Sequence, residues 1–120
     1  MVLDNQGRIF AWGTDEGRYG LFGSTDLFES PHAVRVSDLE NIKQFSISTK
    51  HAAAVNTDGE VFTWGTGHHG ELGGDKTFKP VPRLVDSARI FTVKEVDCAE
   101  TSTTICTCGG YVYIFGDLGS

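Results

Sequence analysis

Gly59-Glu60-Val61-Phe62-Thr63-Trp64-Gly65 stands between two variants of itself, Gly7-Arg8-Ile9-Phe10-Ala11-Trp12-Gly13 before it and Gly110-Tyr111-Val112-Tyr113-Ile114-Phe115-Gly116 after it. Gly7 and Gly59 are 52 residues apart, Gly59 and Gly110 are 51. Self-similarity at such a period marks a repeat architecture. Side chains alternate across a strand, so Phe62 and Trp64 share one face and Val61 and Thr63 the other; the same holds for Phe10/Trp12 and Tyr113/Phe115. Both faces are largely apolar, which requires cover on both sides, as when sheets stack face to face. Asp58-Gly59 and Gly109-Gly110 accept the positive φ of a two-residue hairpin, and Asn5-Gln6-Gly7 is a looser version.

Working outward at a spacing of 51, Val34 maps to Val85, Ile42 to Val93, Phe45 to Val96 and Ile47 to Cys98. The stretches 42–47 and 93–98 read as strands, each followed by a second short apolar segment, 51–55 and 103–106. The turn signals imply three or four strands per copy, and the absence of capped helical periodicity leaves little helix. The chain divides into a repeat over 7–58, a second over 59–109 and the start of a third over 110–120.

The 120 residues are 39% hydrophobic and 22% charged, with 15 glycines and 3 prolines, a composition suited to short strands and tight turns. Ten basic and sixteen acidic side chains give a net charge of −6, which repels a phosphate backbone; no direct nucleic-acid partner is expected. No signal-peptide pattern or long apolar run indicates secretion or a membrane, and Cys98, Cys106 and Cys108 do not form a disulfide framework. An intracellular location is expected.

Trp64-Gly65-Thr66-Gly67-His68-His69-Gly70-Glu71-Leu72-Gly73 resembles the signature loop of the regulator of chromosome condensation repeat family. Trp12 to Gly20 matches it with one residue deleted, and Pro31 and Val34 correspond to Pro82 and Val85. The third copy has Phe115 in place of tryptophan, Ser102 stands where His51 does, and Ser48 and Ala99 occupy a position that is often glycine. The resemblance implies an all-β fold, a seven-bladed β-propeller that takes on the order of 360 residues at this repeat length. The chain is then an arc of two complete repeats plus the start of a third, about a third of the ring. Its repeat-defining residues are Gly7, Trp12, Gly13, Gly59, Trp64, Gly65, Gly70, Gly73, Gly110, Phe115 and Gly116. Trp12 and Trp64 are expected at equivalent buried positions, and the uncovered ends of the arc are expected to lie against remaining propeller blades in the same or another chain.

No residue stands out as catalytic, cofactor-binding or metal-binding. His68-His69 are adjacent and rarely aim at one ion, and the cysteines align with ordinary repeat positions, Val55, Thr57 and Ile47. The loop glycines lead into no helix whose N-terminus would hold a phosphate. A non-catalytic scaffold for protein partners or a larger assembly is the expected function. The loops 14–28, with Tyr19, Phe22, Leu27 and Phe28 expected to be exposed, and 66–78, with His68, His69 and Phe78, are its expected contact surfaces. The resemblance also implies two alternatives, guanine-nucleotide exchange on a small GTPase and a regulatory module fused to a ubiquitin ligase or kinase.

Overall fold

The computed structural model describes residues 1–37, 39–74 and 77–116. The repeating strands assemble into three antiparallel sheets. Strands β1 (Val2–Leu3), β2 (Ile9–Thr14) and β3 (Glu29–Arg35) form the first; β4 (Ile42–Ile47), β5 (His51–Asn56), β6 (Val61–Thr66) and β7 (Phe78–Leu84) form the second; β8 (Val93–Cys98), β9 (Ser102–Thr107) and β10 (Val112–Gly116) form the third. Each pairs its strands in chain order. The four-stranded sheet therefore combines the end of one sequence copy with the start of the next. Apart from a single 3-10 turn at Asp86–Ala88, the described residues contain no helix.

Turn chemistry sets the hairpins. Between β5 and β6, the Asn56 side-chain oxygen accepts the amides of Asp58 (3.1 Å) and Glu60 (2.8 Å), and Gly59 takes φ 82°. A side chain at Gly59 would also strike Val93 N at 2.9 Å, as one at Gly7 would strike Ile42 N at 2.7 Å, because each hairpin tip abuts the entry to the next sheet. The tryptophan–glycine step carries a second device. Register shifts between Ala11 and Gly13 and between Thr63 and Gly65, where the glycines have φ 99° and 105°, and a Cβ on Gly65 would stand 2.5 Å from Lys50 O. These are β-bulges that glycine alone fits without strain.

Two apolar clusters occupy the two junctions between sheets. The first joins Ile9, Ala11, Phe22, Val36 and Leu39 to Ile42, Ala52, Ala54 and Trp64. The second joins Ala53, Val55, Val61, Val85 and Ala88 to Val93, Val96 and Ile105. Strand β5 thus sends Ala52 and Ala54 one way and Ala53 and Val55 the other, and every one of its residues is buried. The expected two-sided cover follows from this period of two. Strands β4 and β8 also meet edge to edge: the Gln44 amide accepts from Val96 N (2.6 Å) and donates to Val96 O (2.7 Å), substituting for a neighbouring backbone.

Pairing corrects the alignment of the copies in the outer strand. Ala11 pairs with Val34 and Thr63 with Arg83, while Val36 and Val85 donate to the equivalent carbonyls of Ile9 and Val61. Val85 thus matches Val36, and Pro80 matches Pro31, in place of the expected Val34 and Pro82. Gly20 and Gly23 occupy the turn that Gly70 and Gly73 form, so the first loop is two residues longer up to that turn and three by the start of the outer strand, where a deletion was expected. The second copy regains its length between Val85 and Val93, where the 3-10 turn lies. The spacing therefore falls from 52 at Gly13/Gly65 to 49 at Val36/Val85 and returns to 51 at Ile42/Val93.

A second correction concerns the tryptophans. Trp64 is fully buried, but Trp12 is 49% exposed. The anchor aromatic faces the preceding sheet: Trp64 packs against the first sheet, and Phe115 against the junction below the second. Trp12 belongs to the first sheet and has no preceding one here. On the opposite flank Val112 and Ile114 are similarly open.

Candidate interaction surface

The loop after Gly13 lies over the junction of the first two sheets, and the loop after Gly65 over the junction of the second and third. Asp15, buried, shapes the first: its carboxylate accepts the amides of Tyr19 (3.0 Å), Gly20 (2.9 Å) and Leu21 (3.0 Å). Leu21 O in turn accepts the Trp64 indole N–H at 3.1 Å, and Tyr19 O accepts the Thr66 hydroxyl at 2.8 Å. The loop of one copy therefore caps the anchor strand of the next. Lys50 Nζ stands 5.7 Å from the centre of the Tyr19 ring.

In the second loop glycine replaces the equivalent of Asp15, and the carboxylate comes from the other side. Buried Glu71 reaches back to His69 N (2.6 Å), the amide equivalent to Tyr19 N. Its side chain fills the space that a Cβ on Gly67 would need. Neither carboxylate was identified from the sequence. The signal was available only as a buried loop turn in need of an acceptor, since the acid occupies different positions in the two copies.

The expected contact residues divide. Phe22 is buried in the first core cluster, which corrects its expected exposure: it follows the Gly20 turn into the junction beside Trp64. Leu27 is half-buried against that cluster. Phe28 is half-buried with the Arg18 guanidinium 4.9 Å over its ring. Tyr19 is half-buried, His68 and His69 are exposed, and Phe78 is 48% exposed with its ring against Gly20. Tyr19 and Phe78 thus flank the first junction, while His68 and His69 line a small depression with Thr49, Lys50, Glu100 and Thr101 at the second.

Groups with chemical potential outside the loops are engaged in the scaffold. His51 is fully buried, with Nδ1 2.7 Å from Ser48 Oγ and Nε2 2.9 Å from Thr103 Oγ1 on the next sheet. Thr103 donates to Glu71 O at 2.6 Å. Burial pushes the His51 imidazole below its ordinary value, against the pull of Glu71. Cys98 donates to Ser46 O at 3.4 Å, and burial pushes its thiol up to about 12, which makes it a poor nucleophile. All three cysteines are free thiols. Among the described residues no three His, Cys, Asp or Glu side chains come together as a metal site, and no helix is long and apolar enough to cross a membrane.

The family model described as regulator of chromosome condensation (RCC1) repeat matches residues 58–106, and a second model of that description matches residues 42–71. The chain is similar to the human E3 ubiquitin-protein ligase HERC2, 31% identical over 120 residues that make up 97% of this chain and 2% of the ligase. It is similar to the ultraviolet-B receptor UVR8 of Arabidopsis thaliana, 32% identical over 97% of this chain and 27% of the receptor. The solved structure of human WBSCR16 superposes with a TM-score of 0.77 at 26% identity, over 95% of this chain and 29% of that one. The chain thus spans less than a third of each of these relatives, with matching sheets and matching repeats. It belongs to the regulator of chromosome condensation repeat family and is an arc of that family's β-propeller.

Proposed function

We propose that the chain is a non-catalytic protein-interaction scaffold whose partner contacts the loop seams, Tyr19 and Phe78 at the first junction and His68 and His69 at the second. The observation that carries this reading is the division of labour between copies. His51, Trp64 and Cys98, the groups within the sheets best placed for chemistry, are buried or hydrogen-bonded across junctions. Among the side chains that differ between the two loops, Tyr19 is half-buried and His68 and His69 reach the surface. Partly exposed aromatics on an ordered loop suit protein recognition, because they bring large contact area with little conformational freedom to lose. The relatives support the same view, since a ubiquitin-protein ligase and an ultraviolet-B receptor, two different activities, are both similar to this arc. Further propeller blades, in the same or another chain, would cover the faces of Trp12 and Ile114.

The test compares wild type with a Tyr19→Ser, Phe78→Ser double variant. Partner binding is expected to fall by at least about tenfold, as for loss of interface anchor residues, while the far-ultraviolet spectrum and melting temperature stay close to wild type. Undiminished binding by a folded double variant would refute the seam. Nucleotide release from a panel of small GTPases, measured with the same proteins, addresses the alternative: acceleration that the loop changes abolish would replace the scaffold with an exchange factor.

A further inference from the structure

Among the described residues Lys79 is the only lysine or arginine that is buried, at 6% exposed. Its Nζ donates to Thr63 Oγ1 at 2.9 Å, and Thr63 passes its own proton to Leu72 O at 2.8 Å. No described carboxylate lies within ion-pair distance of it. Burying an ammonium against one neutral hydroxyl is costly unless a counter-charge completes the site. The fold does not demand this arrangement. At the equivalent positions of the first copy Ala11 replaces Thr63, Ser30 replaces Lys79 and Val34 replaces Arg83, and in the third copy Ile114 stands at the position of Thr63. The same junction is thus built without any of the three polar groups.

Lys79 and Arg83 both line a cavity of about 420 Å³ at the outer side of the second sheet, together with Gly73, Gly74 and Ser87. Asp86, at the same rim, has its carboxylate 3.7 Å from Arg89 and is largely exposed. Arg83 is exposed, and no described residue forms an ion pair with it. Burial, then the neighbouring Arg83 charge, pushes the Lys79 ammonium below the ordinary lysine value, and the Asp86 carboxylate offsets this only in part, without reaching ion-pair distance.

We propose that this cavity binds a small oxyanion, a phosphate or carboxylate group. The anion supplies the counter-charge that Lys79 lacks, and Arg83 adds a planar pair of donors matched to two oxygens. The site does not depend on the loop seam proposed above. It is tested on the full chain by isothermal titration at fixed ionic strength with three probes: inorganic phosphate, a capped glutamate peptide and the same peptide with phosphoserine. Saturable binding of at least one probe is expected, weakened at least about tenfold by Arg83→Gln, which alters only an exposed side chain, and abolished by Lys79→Met combined with Thr63→Val. The preferred probe tells a phosphoryl from a carboxylate source, and either supports the site. Absence of saturable binding for all three, or binding that both variants leave unchanged, would overturn it.

Discussion

Trp64 and Trp12 occupy the same position in consecutive repeats, and their difference shows how the fold distributes stability. Trp64 is buried by the loop of the copy before it, with its indole N–H on Leu21 O. Trp64→Ala should cost roughly 3–5 kcal/mol in urea denaturation, as for a fully buried large aromatic. Trp12→Ala in this chain alone should cost about 1 kcal/mol or less, as at partly exposed sites. Equal losses would mean that the junction does not discriminate between them. His51 offers a pH test. Its folded imidazole resists protonation relative to the ordinary value of 6.5, so the unfolded chain binds the extra proton. Its contribution is therefore present above pH 6.5 and is lost as pH falls from there toward the lower folded value. Melting temperature should decline over that range, and His51→Gln should flatten the decline. An unchanged slope in the variant would remove His51 as its cause.

Elements show what local pattern can specify. The anchor strands, the strands at 42–47 and 93–98 and the hairpin turns were legible because alternation and turn dipeptides are local signals, and each side of β5 and β6 faces the junction that alternation implies. The outer strand was misaligned by two residues because a loop expanded by three residues and a connection lengthened by two nearly offset each other before Ile42 and Val93. A constant spacing of 51 at those positions hid both changes. Phe22 was misread for a related reason: a loop aromatic resembles a contact residue until the neighbouring sheet places it under Trp64. The loops make a prediction at this scale. Asp15→Ala leaves three amides without their common acceptor and should cost roughly 1–3 kcal/mol, whereas Asp15→Asn, which keeps an acceptor, should cost less. The alanine variant should also weaken partner binding through a displaced Tyr19, read by comparing affinity in the two variants. Equal affinity in both would separate the Asp15 turn from the contact surface.

At the scale of the whole molecule, each sheet is stabilised by its neighbours, and only the four-stranded sheet has one on both sides. The repeat and its family were legible from the sequence; which junctions are filled was not, because equivalence in sequence carries no information about the presence of a neighbour. The proposed partner surface was legible only as loops carrying aromatic and histidine side chains. Its division into buried Phe22, half-buried Tyr19 and exposed His68 and His69 required the packing of one repeat on another. The burial of Trp64 beneath the loop of the copy before it implies that every anchor aromatic is covered by the loop of a preceding blade. Hydroxyl-radical footprinting of the protein isolated from its native source, read by mass spectrometry at Trp12 and Trp64, tests it most directly. The account predicts that Trp12 is oxidised as slowly as Trp64 in that material and faster in this chain alone; Trp12 oxidised much faster than Trp64 in the native material would contradict it.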